Sequence, residues 1–262
     1  MSFDPTIADL LAVLSGGIVG LTLGVVGGGG SILAVPLLLY VVGVSNPHVA
    51  IGTSALAVSV NAFANLIAHS RAGNVKWPCA VVFGLSGVTG AFAGSTLGKL
   101  VDGQKLLFVF GLVMVAVALA MLRSRGAEGD PNVRITPQIA VRLVGIGLAT
   151  GLLAGFFGIG GGFLIVPGIM LGSGMAMLNA VGSSLFSVGA FGLTTAVSYA
   201  ADGLVDWRIA AEFIGGGLLG GVAGLALAQR LAAQKGLLNR VFSGVVLTVA
   251  AYVLWRSAGA FI

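Results

Sequence analysis

"GVVGGGGSILAVP", residues 24–36, sets four consecutive glycines in front of an apolar run that ends in proline. Glycine is unfavourable inside a regular helix and weakens a strand, and proline removes a backbone donor, so neither element accommodates the whole stretch. No charged residue lies within ten positions of it on either side. A polar turn would carry such residues. The rest of the chain supplies the solvent: 57% of residues are hydrophobic and 8% charged, and the mean hydropathy is +1.09. Those values are far from the balance of a water-soluble domain and predict a membrane protein.

Working outward, apolar stretches long enough to cross about 30 Å of hydrocarbon as helix recur at 6–26, 49–68, 77–98, 104–122, 138–157, 180–200, 207–228 and 238–256. Two shorter ones follow glycine-rich sequence, at 31–44 and 163–172. The expected architecture is an all-α polytopic membrane protein with 8–10 membrane segments. Asp4 and Asp9 stand at the first segment without Lys or Arg, unlike the basic start of a cleaved signal peptide, so this segment is expected to stay in the mature chain. The lone Cys79 can form no internal disulfide or cysteine metal cluster. The net charge of +5 does not imply nucleic acid, because the basic residues fall between apolar spans and set orientation instead.

The longest polar stretch, "RSRGAEGDPNVRITPQ" at 123–138, divides the chain near its middle. Across it the sequence repeats. "GVVGGGGSILAVP" from Gly24 aligns without a gap on "GFFGIGGGFLIVP" from Gly155, both reading G-x-x-G-x-G-G-x4-V-P at an offset of 131. Later, at an offset of 130, "GTSALAVSV" from Gly52 lies on "GSSLFSVGA" from Gly182, and Trp77 lies on Trp207. A duplication follows: a first transmembrane repeat at 1–122, a cytoplasmic linker at 123–137 and a second repeat at 138–262. Each repeat holds a broken glycine-rich helix hairpin and three further transmembrane helices. If both limbs of a hairpin cross, or both turn back, the repeats are inverted; if only the short limb fails to cross, they are parallel. Inverted repeats with the linker inside place nine basic residues in the cytoplasm (Arg71, Lys76, Arg123, Arg125, Arg134, Arg142, Arg230, Lys235, Arg240) and four outside (Lys99, Lys105, Arg208, Arg256). Parallel repeats give eight and five and gather Arg230, Lys235 and Arg240 outside. Inverted repeats are therefore preferred, with both termini on the outer side.

Irregular backbone at membrane depth survives only within protein or beside a water-filled cavity, because each unsatisfied N–H or C=O costs several kcal/mol in hydrocarbon. Two broken hairpins entering from opposite faces would present glycine N–H groups and helix N-termini to a shared site near the midplane, an arrangement that attracts anions without a buried arginine. The expected substrate-binding residues are Gly27, Gly28, Gly29, Gly30 and Ser31 in the first motif and Gly158, Gly160, Gly161 and Gly162 in the second. Pro36 and Pro167 are expected to shape the hairpins from the first turn of each short helix. The competing reading gives these glycines to close helix packing, the role expected for Gly90, Gly94 and Gly98 and for their equivalents Gly216, Gly220 and Gly224. Nucleotide-binding readings fail because no Lys-Ser/Thr follows and the first acid after Gly30 is Asp102.

The duplicated G-x-x-G-x-G-G-x4-V-P, the two halves across a short basic linker and the total length resemble the TauE/SafE sulfite and sulfonate exporter family, also called the TSUP permeases. The resemblance covers nearly the whole chain. It implies a permease of a bacterial-type cytoplasmic membrane that moves sulfite, sulfoacetate or other sulfonates, with no cofactor, no metal and no catalytic residue. Composition and spacing alone point only to an anion-friendly site within the membrane.

Other polar residues extend the list. Thr53 and Ser54 match Ser183 and Ser184, and their hydroxyls either coordinate sulfonate oxygens or bond the preceding turn. Asn61 and Asn65 lie one turn apart, opposite Phe191 and Thr195 in the repeat, and either bind ligand or bridge helices. Glu212 is the acid well inside an apolar segment and the candidate for proton coupling. His69 and Arg71 are read as surface anchors at a span end. Coupling to a proton or a sodium ion, and assembly as a homodimer, stay open. The rivals are a transporter or channel for another small anion or a cation, which lacks the usual mid-span carboxylate, and an intramembrane enzyme built on Ser31, whose equivalent is Gly162.

Overall fold

The computed structural model describes residues 5–123, 129–157, 162–234 and 237–257. Among them the chain is helical apart from turns and an isolated bridge between Asp130 and Met175. The helices are α1 (Pro5–Val26), α2 (Ala34–Leu37), α3 (Pro47–Arg71), α4 (Trp77–Gly98), α5 (Gly103–Arg123), α6 (Pro137–Phe157), α7 (Gly162–Ser173), α8 (Met177–Ala201), α9 (Trp207–Ala232) and α10 (Leu237–Ser257). A 3-10 segment, Gly27–Leu33, enters α2 and a π segment, Leu38–Val42, leaves it. Among the described residues seven helical stretches are long and apolar enough to cross a membrane, the first running from Ile7 to Val42. Large apolar side chains such as Leu85, Phe92, Leu219 and Val222 point outward and are more than half exposed. A surface of this kind suits lipid and not water. Trp77 and Trp207 are exposed at the starts of α4 and α9, where an aromatic belt forms at the interface.

The halves are interwoven. Helix α1 packs on α9 and α4 on α6, so the first helix of each half lies on the fourth helix of the other, while α3 packs on α8 and α5 on α10. Glycine makes the first two contacts close enough for backbone to touch backbone. A Cβ on Gly20 would stand 2.0 Å from the Gly217 carbonyl oxygen, and one on Gly94 would stand 2.0 Å from that of Leu152. Gly90 and Gly98 face Leu148 and Phe156, and Gly216, Gly220 and Gly224 face Val13, Gly17 and Leu21, so all six glycines expected in packing seams are found there. Positions rise together along both seams, which makes each pair parallel. Helices α3 and α8 run antiparallel: Gly52 meets Tyr199, the Ser59 hydroxyl donates to the Gly189 carbonyl at 2.7 Å, and Gly182 meets Asn74.

Each half opens with a hairpin. Helix α1 stops because Gly27 takes φ +60°, a left-handed value open to glycine, and Gly30 folds back against the Leu23 amide. The return limb runs along α1, as α7 runs along α6, with Gly168 beside Ile146 and Thr150 and Gly172 beside Leu143. Two expectations need correction. The first motif is not irregular backbone: Gly27–Leu33 winds as 3-10 helix with tighter turns, while the Gly28 N–H goes to Ser184. Pro167 does not start α7 but lies inside it, because the helix already begins at Gly162. Pro36 sits third in the single turn of α2, directly continued by flanking helical segments.

Candidate functional site at the paired hairpin tips

The two hairpins meet tip to tip. A Cβ built on Gly28 would lie 2.3 Å from the Gly162 carbonyl oxygen, and one on Gly162 would lie 1.7 Å from that of Gly28. No side chain fits between these backbones. Depth follows from counting residues. The Gly28 N–H bonds Ser184 and Gly27 lies against Val181, which stand about 10 Å and 6 Å along α8 from Met177, so the first tip lies level with the first half of α8, and Gly162, about 16 Å along α7 from Ser173, meets it there. The Ser59–Gly189 bond joins residues that are equivalent in the repeat, as the Gly28–Gly162 contact joins equivalent motifs.

Gly27, Gly28, Gly29, Gly30 and Ser31 are all buried. Released from the α1 ladder by the turn at Gly27, the Gly28 N–H donates to Ser184 Oγ at 3.0 Å, and Ser184 passes its own hydrogen to the Val181 carbonyl at 2.7 Å. Ser31 Oγ donates back to the Gly28 carbonyl at 2.8 Å. Gly29 faces the Phe242 ring of α10 and Gly30 faces α1, so the Cβ directions of both are already filled by protein. Gly158, Gly160 and Gly161 lie outside the described residues, and Gly162 is buried at the start of α7.

The flanking hydroxyls divide into two uses. Thr53 Oγ1 accepts from the Asp206 N–H at 2.9 Å and Ser183 Oγ accepts from the Lys76 N–H at 2.8 Å, so equivalent hydroxyls hold the loops before α9 and α4 across the two halves. Ser54 donates to the Ile51 carbonyl at 2.9 Å within its own helix. Asn61 and Asn65 press against Gly217 and Gly221 of α9; Asn65 Nδ2 donates to the Asn61 carbonyl at 2.9 Å, while both Asn61 amide atoms and Asn65 Oδ1 have no hydrogen-bond partner. Thr195 and Ser187 on α8 are likewise buried with unpartnered hydroxyls. Unpartnered polar atoms at such depth are where water or a polar ligand is expected.

Glu212 belongs elsewhere. Its carboxylate accepts from Arg208 Nε at 3.3 Å, and Arg208 also pairs with Asp9 of α1, where the starts of α1 and α9 meet. Gly224, the α9 residue packed on Gly24 near the first tip, is about 18 Å further along that helix. His69, expected at the surface, is instead fully buried, with Nε2 3.0 Å from the Gly24 carbonyl oxygen. Its position near the end of α3 hid this, since the loop that covers it is folded over by contacts with α8. Among the described residues no group of His, Cys, Asp and Glu side chains is placed to hold a metal ion.

Comparison with known proteins carries the reading further. A family model described as sulfite exporter TauE/SafE matches residues 12–253. A protein of Xylella fastidiosa named "Probable membrane transporter protein" is 56% identical over 254 residues, covering 96% of this chain and 97% of its own. The "Probable membrane transporter protein YunE" of Bacillus subtilis is 27% identical over 245 residues, covering 85% and 89%. A probable membrane transporter of Methanocaldococcus jannaschii is 30% identical over 164 residues, 60% of each chain. No solved structure gives a significant match.

Proposed function

The chain belongs to the TauE/SafE sulfite exporter family, and from that premise we propose that this membrane transporter moves small sulfur-containing anions, sulfite or sulfonates, by alternating access around the paired hairpin tips. The observation that carries the proposal is the meeting of the two hairpin tips at Gly28 and Gly162, where the Gly28 N–H has left the α1 ladder for Ser184 of the other half, with further buried polar atoms of α3 and α8 left without partners. A site made of amide N–H and hydroxyl groups can stabilise an oxyanion without a buried charge, whose desolvation would be expensive. Movement of the α1 hairpin against the α6 hairpin would part Gly28 from Gly162 and expose the amides that the closed contact covers.

The antiparallel crossing of the equivalent helices α3 and α8 supports inverted repeats, because a two-fold axis along the membrane normal would leave equivalent helices parallel. Each half then gates one side of a cytoplasmic-type membrane, with both termini outside. Two measurements test the reading. Uptake of labelled sulfite, sulfoacetate and an aromatic sulfonate by proteoliposomes should exceed that of chloride and of sodium. If only the latter ions move, the substrate class is wrong. Single cysteines at Lys76 and Asp206, with Cys79 replaced, should label from opposite faces of intact cells, and labelling from one face refutes inversion.

A further inference from the structure

We infer that His69 is a proton-binding site that latches one end of the bundle, and that a proton on its Nδ1 releases the 72–76 loop. Helix α1 ends at Gly27, and the Gly28 N–H, which would close the last helical turn onto Gly24, goes to Ser184 instead. The Gly24 carbonyl is therefore one of the orphan acceptors of a helix C-terminus. His69 Nε2 lies 3.0 Å from it. A carbonyl only accepts, so Nε2 carries the hydrogen and the neutral ring leaves Nδ1 as an acceptor. Asn74 Nδ2 donates to that acceptor at 3.4 Å, and the Asn74 backbone carbonyl accepts from Asn179 Nδ2 at 3.3 Å. One chain of hydrogen bonds thus runs from the first hairpin tip through α3 and the 72–76 loop to α8.

Protonation breaks this chain at one link. When the Nδ1 lone pair takes a proton from solution, both ring nitrogens donate, the Asn74 Nδ2 donor can no longer face the ring, and even an amide turned to offer Oδ1 leaves the imidazolium charge uncompensated. The negative end of α1 favours the imidazolium. Nothing on the helices packed around it does: α1 from 17 to 26, α9 from 218 to 228 and α8 from 177 to 190 carry no charged side chain, and the charges that follow along the chain, Arg71 and Lys76 beside the loop and Arg230 on α9, are all positive. A buried cation without a counter-charge is stable only with water, which the displaced loop admits. Proton binding and loop opening therefore favour one another, as linkage requires.

The other end of the molecule shows that the chemistry is not a by-product of the fold. Tyr199, Leu204 and Val49 occupy the positions equivalent to His69, Asn74 and Asn179. The backbone is the same at both ends: Gly73 and Gly203 take φ +75° and +70°, and the amides of Asn74 and Leu204 donate to the carbonyls of His69 and Tyr199 at 3.0 and 2.9 Å. Only the first loop is held through an imidazole; the second carries the carboxylates of Asp202, paired with Lys99, and Asp206, which caps α9. His48, at the far end, leaves Nδ1 unpartnered and packs toward the Tyr199 ring at 6.2 Å.

The test uses purified full-length protein with Cys79→Ala and a reporter, Val75→Cys, in the half-buried loop, its thiol labelling rate divided by that of the exposed Leu100→Cys. Between about pH 8.5 and 5.5, the range in which histidine titrates, the ratio should rise about tenfold toward acid. It should stay flat and low in His69→Gln and keep its rise in His48→Gln. Asn74→Asp should invert the dependence, because a carboxylate accepts from the protonated ring and repels the neutral Nδ1 lone pair, a signature that a merely structural loop cannot give. A flat profile in the parent protein, a profile unchanged by His69→Gln, or the parental direction in Asn74→Asp overturns the latch. The link to transport rests on the function proposed above and is read separately: His69→Gln should lose stimulation of sulfite uptake by an imposed pH gradient while keeping gradient-free exchange. Stimulation that survives overturns the coupling. A pH-dependent loop in a protein that moves no sulfur anion overturns the substrate reading and leaves the latch standing.

Discussion

Gly94 in the α4–α6 seam and Gly28 at the hairpin tip meet a neighbouring backbone at nearly the same distance, with Cβ positions 2.0 Å and 2.3 Å from a carbonyl oxygen, yet the two contacts do different things. Gly94 lies within a regular α-helix whose backbone bonds are internal, so its lack of a side chain serves approach alone. Gly28 follows a left-handed turn, and its N–H has left the helix ladder for a side chain of the other half. Close approach alone is therefore no mark of a site; the proposed site rests on the diverted backbone hydrogen bond.

Five substitutions break or sharpen that distinction. Gly94→Val should be the most damaging, because backbone faces backbone and neither can yield; a loss above about 3 kcal/mol is expected, seen as failure to recover monodisperse protein. Gly27→Ala should cost about 2 kcal/mol from the left-handed backbone and the crowded Ser184 hydroxyl, which would lie 2.6 Å away. Thermal unfolding in detergent should show a folded protein with a lowered midpoint and little sulfite exchange; normal exchange would move the tip into the packing class with Gly94. Thr53→Ala and Ser183→Ala each remove one acceptor for a loop N–H and should cost about 1 kcal/mol apiece. A clear inequality between them would show that the two loops are not equally clamped. Glu212→Gln should be mildest, at most about 1 kcal/mol, because its partner Arg208 is largely exposed. The pH profile of transport should survive it; a flattened profile would return proton coupling to Glu212.

Much of this molecule was legible without coordinates. Spans are written in local composition, and the duplication is written in a motif that recurs at a fixed offset. The seams at Gly90, Gly94 and Gly98 and at Gly216, Gly220 and Gly224 follow from four-residue spacing on one helix face. Those signals are local, and local signals survive in one dimension. The partners of polar groups are a different matter. Ser183 clamps the Lys76 amide 107 residues away, and Thr53 clamps that of Asp206 at a separation of 153, so neither assignment is readable near either residue.

His69 carries the same lesson most sharply. By position it ends an apolar span beside Arg71, where a histidine ordinarily meets water. Its burial arises because the following loop folds back under Gly73, whose φ of +75° turns Asn74 onto the ring, and because α1 breaks at Gly27 and leaves a carbonyl in need of a donor. Pro167 fell inside α7 for a related reason, since the helix starts where Gly162 can touch Gly28. The amino-acid sequence by itself determined that this protein lives in a bilayer, is duplicated and is seamed with glycine, because hydropathy and spacing act within a helix. Tertiary structure alone decided which amide, hydroxyl or imidazole meets which partner, because in a medium without water each buried polar group is satisfied by whatever the other half of the chain brings to it.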